Sequence, residues 1–486
     1  MLSSLTGYIA PLLDGDARSP PLYLRLQRAL RDALRAGRIR DGERLPSSRA
    51  LASELGVARK TVEAAYAGLE TEGLLERRVG DGSYARPRES AAAPASSARR
   101  ALSRDMQAAG GWMQPCGPRP FVVATPALDA FPVATWQRLL QQRIRRSGYE
   151  LLAYGDPQGY PPLREAIAQY VAAVRGVRCI AAQVIVVASS QIGLELVTRL
   201  ALKPRDAAWI EEPGYMGARV AFTAAGARVV PVAVDAQGLD VARGLRLAPR
   251  ARIAHVTPSH QFPTGVTLSL ARRRTLLDWA VRANAWILED DYDHEFRHRG
   301  RPIVPLQALD TTGRVFYLGT FTNTMFPGLR LAYLVAPAAF VEPLVQARAT
   351  LDGGLPTLPQ AVLYDFIDQG HFAAHVMRMA RLYRARCNAL EREVAARLAG
   401  RLTLRPADTG VHVLGEFDPP MDDRAFATRA TSLGLDLTPV AHSYVQQPPP
   451  RPGLVLGYAS LTPQQIRDGV AAIASLLAME DAGRSA

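Results

Sequence analysis

Apolar residues recur at helical spacing in the first part of the chain. Over Pro21–Arg35 they fall on one stripe of a helix whose opposite face is rich in arginine. A second, short helix is predicted at Ser47–Leu55, and a third over Ala58–Leu69. Two short apolar runs around Gly80 and Gly82 then indicate a hairpin. The pattern predicts a small unit of three helices closed by a hairpin.

Beyond about residue 119, strand-like apolar runs alternate with helical patterns. This alternation is typical of a mostly parallel sheet covered by helices, an α/β fold. The six candidate strands are Val184–Ala188, Ala207–Ile210, Arg228–Val232, Ile253–Val256, Ala285–Leu288 and Val315–Leu318. Because ligands bind at the carboxyl ends of such strands, the polar residues that follow each run are candidate site residues.

The segment between these regions differs from both in composition. Residues 88–118 are rich in alanine, serine, glycine and proline and show no apolar period, as expected of a flexible tether. The predicted organisation is an N-terminal segment (1–19), a helical unit (20–87), a linker (88–118) and a large domain (119–486). The linker either adjusts the spacing of two helical heads or serves only as a spacer.

Helix, short helix, turn, helix and hairpin is the element order of a winged helix-turn-helix. The third helix leaves Arg59, Lys60 and Thr61 free at its N-terminal end, which reaches base edges in such folds. An amphipathic bundle with no DNA role is the alternative. The net charge of +13 favours a polyanionic partner. However, all but two of the 58 basic residues are arginines, so a genome that favours arginine would also explain the charge.

The cysteines and the longest apolar runs exclude several other classes of protein. Cys116, Cys179 and Cys387 lack metal-ligand spacing, so neither a disulfide framework nor a zinc site is expected. No apolar run reaches the length of about 18 residues that a membrane helix needs. The start of the chain lacks the basic and apolar segments of a signal peptide. We therefore expect a cytoplasmic protein with no membrane partner.

The polar residues after the predicted strands share a consistent chemistry. They provide hydroxyls at a helix start, an aromatic ring, a polar loop, a carboxylate cluster and an arginine, at Ser189–Gln191, Tyr215, Thr257–Gly265, Glu289–Asp293 and Arg330 respectively. These are the groups that a pyridine phosphate requires. Each taken singly also has a structural explanation, such as a helix cap or a surface acid.

The stretch Phe316–Val335 has two apolar runs joined by a polar turn. It resembles the cofactor-lysine segment of fold-type I aminotransferases, especially the copy in MocR/GabR-type transcription regulators, where the lysine forms a Schiff base with pyridoxal phosphate. Asn323 stands where that lysine is expected, and an amide has no nucleophilic lone pair for this bond. The chain's only lysines, Lys60 and Lys203, lie far from this turn in sequence. An ordinary turn residue is the alternative role for Asn323.

The resemblance covers nearly the whole chain. Pro126–Pro132 with Trp136, and Tyr154–Glu165, match signatures of the same regulators, while residues 20–87 resemble the GntR-family DNA-binding domain through Leu45–Arg49 and the wing glycines. It implies a head-to-tail homodimer on double-stranded DNA with paired half-sites. The DNA contacts that it implies are Arg49, Arg59, Lys60, Thr61, Gly80 and Gly82. Glu63 stands where some members carry a base-contacting arginine.

The resemblance also assigns residues to pyridoxal phosphate. It implies that Asp290 pairs with the pyridine nitrogen, that Tyr292 faces the ring hydroxyl and that Tyr215 stacks on the ring. Ser189, Ser190, Thr320 and Arg330 are implied to hold the phosphate, and Gln261 and Thr264 lie in a loop that approaches the ring. Val455 stands where aminotransferases carry the arginine that binds the substrate carboxylate.

These observations favour a transcription regulator whose aminotransferase-like domain senses a small-molecule effector. That effector is pyridoxal phosphate or a related vitamer held without a covalent bond, or a ligand that has replaced it, and transaminase activity is not expected. Two alternatives stay open. One is an enzyme that uses pyridoxamine phosphate without a lysine, with His260 as the base. The other is a DNA-bound dimer whose pocket binds nothing.

Overall fold

A computed structural model describes residues 2–13, 20–78, 80–86, 119–297, 303–406, 408–445 and 449–485. The chain divides into two compact units, residues 1–101 and 102–486. The predicted linker, 88–118, lies outside the described residues, as does part of the N-terminal segment. In the described part of the chain, no helix combines the length and the apolar character needed to cross a bilayer.

The first unit contains the predicted helices and hairpin. Its elements are α1 (Leu2–Ile9), α2 (Leu22–Arg35), α3 (Ser48–Leu55), α4 (Arg59–Thr71), β1 (Leu75–Arg78) and β2 (Gly82–Ala85). Ser47 caps α3 by accepting a hydrogen bond from the Ala50 amide at 3.2 Å. Gly56 ends α3 in the left-handed conformation, with φ +62°. The winged helix-turn-helix order is therefore present.

Buried apolar side chains hold this unit together. Leu26, Leu30, Val62 and Leu69 are fully buried at the packed faces of α2 and α4. Helix α1 adds Leu5 and Ile9 to the same core, although the sequence pattern of residues 1–19 did not predict a helix there. The apolar stripe of α2 therefore packs in one core with α1, which precedes it in the chain, and with α4, which follows it.

The second unit is built on an eight-stranded sheet. Its strands are β3 (Val184–Val187), β4 (Ala207–Glu212), β5 (Arg228–Asp235), β6 (Gly238–Leu239), β7 (Ile253–Val256), β8 (Trp286–Asp290), β9 (Val315–Thr320) and β10 (Ala332–Val335). Their spatial order is β3-β10-β9-β8-β7-β4-β5-β6. Strands β5, β4, β7, β8 and β9 run parallel, and β10 lies antiparallel between β9 and β3. All six predicted strands are confirmed.

Helices cover this sheet. Along the chain they are α5 (Val133–Ser147), α6 (Pro161–Arg175), α7 (Ser190–Ala201), α8 (Met216–Ala224), α9 (Val241–Leu247), α10 (Leu270–Arg282), α11 (Leu306–Leu309), α12 (Ala338–Asp352) and α13 (Thr357–Asp368). Separate apolar clusters fill the two sides of the sheet: Val184 and Val186 belong to one, and Ile185 and Val187 to the other. This alternation is expected of a strand that is buried on both faces.

A smaller antiparallel sheet follows the long helix α14 (His371–Arg397). Its strands are β11 (Leu402–Leu404), β12 (His412–Phe417), β13 (Thr438–Pro439) and β14 (Gly453–Gly457), in the order β11-β12-β14-β13. Helices α15 (Asp423–Ser432) and α16 (Pro463–Ser485) complete this part. Val455 lies in β14, fully buried against Leu414 and Val440. It is thus a core residue.

Candidate functional site

The carboxyl ends of β8 and β9 bring together residues that are far apart in sequence. The two strands pair in parallel, with Asp290 opposite Leu318, so the segments that follow them leave the same edge of the sheet. The Asn323 Nδ2 donates a hydrogen bond to the Tyr292 carbonyl oxygen at 2.9 Å. Asp290, Tyr292 and Asn323 therefore lie close together at the carboxyl ends of these strands, and their role towards a ligand stays a prediction.

Asp290 is buried at the end of β8. Its Oδ2 lies 3.7 Å from the Nε2 of His255, a residue of β7, and its Oδ1 has no hydrogen-bond partner among the described residues. The Tyr215 ring is stacked on the His255 ring, with centroids 6.1 Å apart and planes 29° apart. His255 was not predicted as a site residue. The only signal for it is a histidine inside the apolar run Ile253–Val256.

Asn323 is only 4% exposed. Its Nδ2 donates one hydrogen bond to the Tyr292 carbonyl, and its Oδ1 is buried without a donor within the described part of the chain. A buried carbonyl oxygen that lacks a donor costs about 1–3 kcal/mol. Such a group in a native fold calls for an explanation, and a ligand donor is one.

The residues predicted to hold a phosphate lie at three chain segments. Ser189 is the N-cap of α7, where its Oγ accepts from the Ile192 amide at 3.3 Å, and Ser190 is the first helical residue. Helix N-termini attract anions through their free amides and their dipole. Thr320 ends β9, and its hydroxyl donates to the Thr322 hydroxyl at 3.0 Å.

Arg330 is exposed and has left-handed backbone angles, with φ +52° and ψ +48°. This region is strained for a residue other than glycine and is enriched at functional sites. Among the described residues no carboxylate pairs with the Arg330 guanidinium, so this cation is available to an anionic ligand.

Gln261 and Thr264 form hydrogen bonds with each other. The Thr264 hydroxyl donates to the Gln261 Oε1 at 2.6 Å, and the Gln261 Nε2 donates to the Pro213 carbonyl at 2.8 Å. The Tyr292 hydroxyl likewise donates to the His260 carbonyl at 3.1 Å. These three side chains brace the loop in the structure, and their role towards a ligand stays a prediction.

A buried ion pair, Arg175–Asp291, lies next to Asp290. The Arg175 guanidinium contacts the Asp291 Oδ2 at 2.8 Å and the Ser259 hydroxyl at 2.9 Å, and the Tyr317 hydroxyl donates to the same Asp291 oxygen at 2.6 Å. Burial favours the neutral acid, but Arg175, His294 and the hydrogen bond from Tyr317 together outweigh it and lower the pKa of Asp291 below its ordinary value. The residue next to Asp290 is thus an ionised anchor.

His260 is buried and contacts Asp293. Its Nδ1 lies 2.6 Å from the Asp293 Oδ2, and its ring is closely flanked by Gly265 and Gly410. Burial raises the pKa of Asp293 above its ordinary value. His260 also lines a cavity of about 330 Å³, together with Tyr170, Arg175 and Phe372. None of the ten residues predicted for the cofactor lines that cavity.

The first unit presents its predicted DNA-contacting residues at the surface. Arg49, near the start of α3, and Arg59 and Lys60, at the start of α4, are exposed, while Thr61 is half-buried. The Arg59 Nε donates to the Glu63 Oε1 at 2.7 Å. Both wing glycines have positive φ, +81° at Gly80 and +121° at Gly82.

The described residues hold no cluster of His, Cys, Asp or Glu side chains suited to a metal ion.

Known proteins are similar to both units. The gntR family of bacterial regulatory proteins matches residues 22–84, and the aminotransferase class I and II family matches residues 127–473. The probable rhizopine catabolism regulatory protein MocR of Rhizobium meliloti is 36% identical over 97% of each chain. The HTH-type pyridoxine biosynthesis transcriptional regulator PdxR of Corynebacterium glutamicum is 30% identical over 93% of this chain and 95% of its own.

A solved structure is similar to the large unit. The alpha-aminoadipate aminotransferase LysN of Thermus thermophilus, complexed with N-(5'-phosphopyridoxyl)-L-leucine, is 26% identical, with a TM-score of 0.68. The match covers 74% of this chain and 92% of that one. The predicted fold class, a small helix-turn-helix domain followed by a large α/β domain of this type, is confirmed.

Proposed function

Because this chain belongs to the MocR-type regulators of the GntR family, which join a helix-turn-helix domain to an aminotransferase class I domain, we propose how its large unit works. It senses a pyridoxal phosphate vitamer, or a ligand that has replaced it. The ligand is held without a covalent bond, and the unit has no transaminase activity. DNA binding by the first unit reports the occupancy of this site.

The observation that carries this proposal is the amide at position 323. Asn323 follows β9, precedes Arg330 and touches Tyr292, and we assign it to the place of the cofactor lysine. An amide cannot act as the nucleophile that captures the vitamer. Lys203 precedes β4 and therefore lies towards the opposite edge of the sheet, and Lys60 belongs to the first unit.

The remaining residues fit a pyridine phosphate. The buried, unpartnered Asp290 Oδ1 suits a protonated ring nitrogen, and Tyr215 offers an aromatic face. The α7 N-terminus with Ser189 and the unpaired Arg330 suit the phosphate. When bound, such a vitamer supplies an electron-withdrawing pyridinium ring. The printed name of the relative PdxR, a pyridoxine biosynthesis regulator, is consistent with a ligand of this class.

Titration of the full chain with pyridoxal phosphate tests the proposal. We expect a saturable change in the near-ultraviolet and visible absorbance, and we expect borohydride to leave the vitamer unattached to the protein. The bound vitamer should also change the affinity for DNA. No saturable binding of any vitamer would contradict a retained vitamer site, and stoichiometric fixation by borohydride would contradict noncovalent binding.

The DNA contact of the first unit can be tested at Arg59. Arg59→Ala should lower affinity for a duplex selected from a random library, because an exposed cation at the start of α4 is lost. A phosphate contact predicts a drop of about 0.9 in the salt slope, whereas a base contact predicts a loss of about 1–3 kcal/mol on the selected sequence only. Arg35→Ala, at the exposed end of α2, is the control. Unchanged binding by Arg59→Ala would exclude the contact.

We also propose that the protein acts as a homodimer on paired half-sites. Three large apolar side chains are exposed in the segment between α5 and α6: Tyr149, Leu152 and Tyr154 are 88%, 75% and 97% exposed. We propose that this segment contributes to the interface, since exposed apolar surface is typical of interaction sites. Sedimentation should give twice the mass of one chain, and a monomer at the concentrations that bind DNA would contradict this.

A further inference from the structure

Two acceptor oxygens at the candidate site lack donors. The Asp290 Oδ1 and the Asn323 Oδ1 are both buried from solvent, and neither has a hydrogen-bond partner in the described ranges of the chain. Bulk solvent does not reach either atom. Buried polar atoms are nearly always paired. Two unpaired acceptors at the carboxyl ends of β8 and β9 therefore indicate that a ligand bound there should provide hydrogen-bond donors.

The orientation of the Asn323 amide follows from its neighbour. Its Nδ2 faces the Tyr292 carbonyl at 2.9 Å. A flipped amide would place two acceptor oxygens against each other, so the hydrogen-bond pattern fixes Nδ2 on this side. The Oδ1 is therefore the Asn323 atom that has no partner among the described residues, and it can only accept a hydrogen bond.

We propose that this site selects the aminomethyl form of the vitamer, pyridoxamine phosphate, over the aldehyde form. This inference rests on the proposed function. A protonated pyridine nitrogen supplies one donor, for Asp290, and the amine supplies a second, for Asn323. The aldehyde oxygen only accepts, so it would face the Asn323 oxygen without a bond. The replacement at position 323 thus changes which vitamer is bound as well as how it is held.

Binding requires a small rearrangement. Asn323 is 4% exposed and Asp290 6% exposed, and neighbouring atoms cover both orphan oxygens. A ligand reaches them only if side chains at this edge rotate, a change that is common at binding sites. The selection is therefore a property of the ligand-bound conformation and is best measured at equilibrium.

The test compares four ligands on the full chain by calorimetry. They are pyridoxamine phosphate, pyridoxine phosphate, pyridoxal phosphate and 4-deoxypyridoxine phosphate, which offer at the same carbon an amine, a hydroxyl, an aldehyde and a methyl group. We expect pyridoxamine phosphate to bind roughly tenfold to a hundredfold more tightly than the aldehyde and methyl forms, with the hydroxyl form between them. Fixation by borohydride is checked in each titration.

Two variants assign the preference to Asn323. Asn323→Leu removes the acceptor and should bring the amine and methyl forms to similar affinity. Asn323→Asp replaces the donor to the Tyr292 carbonyl with a second acceptor and adds a negative charge, so it has a greater need of a donor and its preference for the amine should exceed that of the unmodified chain. Both are first compared with it by circular dichroism, to confirm that the fold is retained.

The outcomes separate this inference from the function on which it rests. If no vitamer binds, the proposed function and the inference both fail. If the vitamers bind with equal affinity, or the aldehyde binds more tightly, the noncovalent sensor stands and the inference is overturned. If the preference for the amine persists in Asn323→Leu, Asn323 is not its cause and the inference is also overturned.

Discussion

Asn323→Lys is expected to give the large unit covalent capture of pyridoxal phosphate. The substitution restores a primary amine to the end of the β9 loop, where the side chain is 4% exposed and lies against Tyr292. Burial disfavours the charged form of a lysine and lowers its pKa, which raises the share of the nucleophilic free amine. After borohydride, the retained vitamer should rise from near zero to about one per chain.

Intact-protein mass spectrometry after reduction and denaturation measures this change. Asn323→Met is the matched control, because methionine approaches the length of lysine but has no amine. The control should retain no vitamer. A lysine variant that binds the vitamer reversibly but is not fixed by borohydride would show that residue 323 does not face the reactive carbon, and the assignment of Asn323 to the lysine position would be wrong.

Arg175→Leu is expected to destabilise the large unit by about 3–5 kcal/mol, because it leaves Asp291 buried without its cation. The side chains of the pair are 5% and 1% exposed, so water cannot replace the lost contact. All five tryptophans follow residue 101, so their fluorescence reports the unfolding of this unit in urea. Vitamer binding should weaken as well, since Asp291 adjoins Asp290.

Two comparisons make this prediction specific. Arg272→Leu removes one side of the more exposed Arg272–Asp235 pair, 20% and 54% exposed, and should cost only about 0–1 kcal/mol. Adding Asp291→Asn to Arg175→Leu should recover part of the stability, because the uncompensated charge disappears. A loss no larger than that of Arg272→Leu would show that the buried pair does not anchor the site.

The pH dependence follows from the lowered pKa of Asp291. In the unmodified chain the pair contributes stability above the carboxyl's unfolded pKa, and this contribution is lost as the pH falls through the lower, folded value. Without Arg175, burial should instead raise the pKa of Asp291 above its unfolded value. The deficit of Arg175→Leu should therefore shrink on acidification, which urea titrations at two pH values would measure.

Local sequence patterns predicted the helices and strands. They could not predict contacts between residues that are far apart in sequence. The six strands were identifiable because each is an apolar run of strand length, and α3 because Ser47 and Gly56 mark its ends. The pairing of Arg175 with Asp291 joins residues 116 positions apart, and no local pattern reveals it. The same holds for His255, which joins the site only because β7 and β8 are neighbours in the sheet.

The positions of the predicted cofactor residues could be predicted from the sequence for a different reason. Asp290, Thr320 and Ser189 each lie at or just after the end of a strand, so the topology alone gathers them. The hydrogen bonds inside the loop Thr257–Gly265 could not be predicted from the sequence. Gln261 and Thr264 lie where the sequence indicated, but whether such side chains face a ligand or each other depends on the course of the loop.

Noncovalent binding at position 323, as proposed, would also determine the time course of a response. A ligand held only by hydrogen bonds and an ion pair leaves by simple dissociation. Occupancy then follows the free concentration of the ligand in both directions, and no chemical step delays release. A regulator of this kind would report the current supply of its effector and retain no memory of an earlier one.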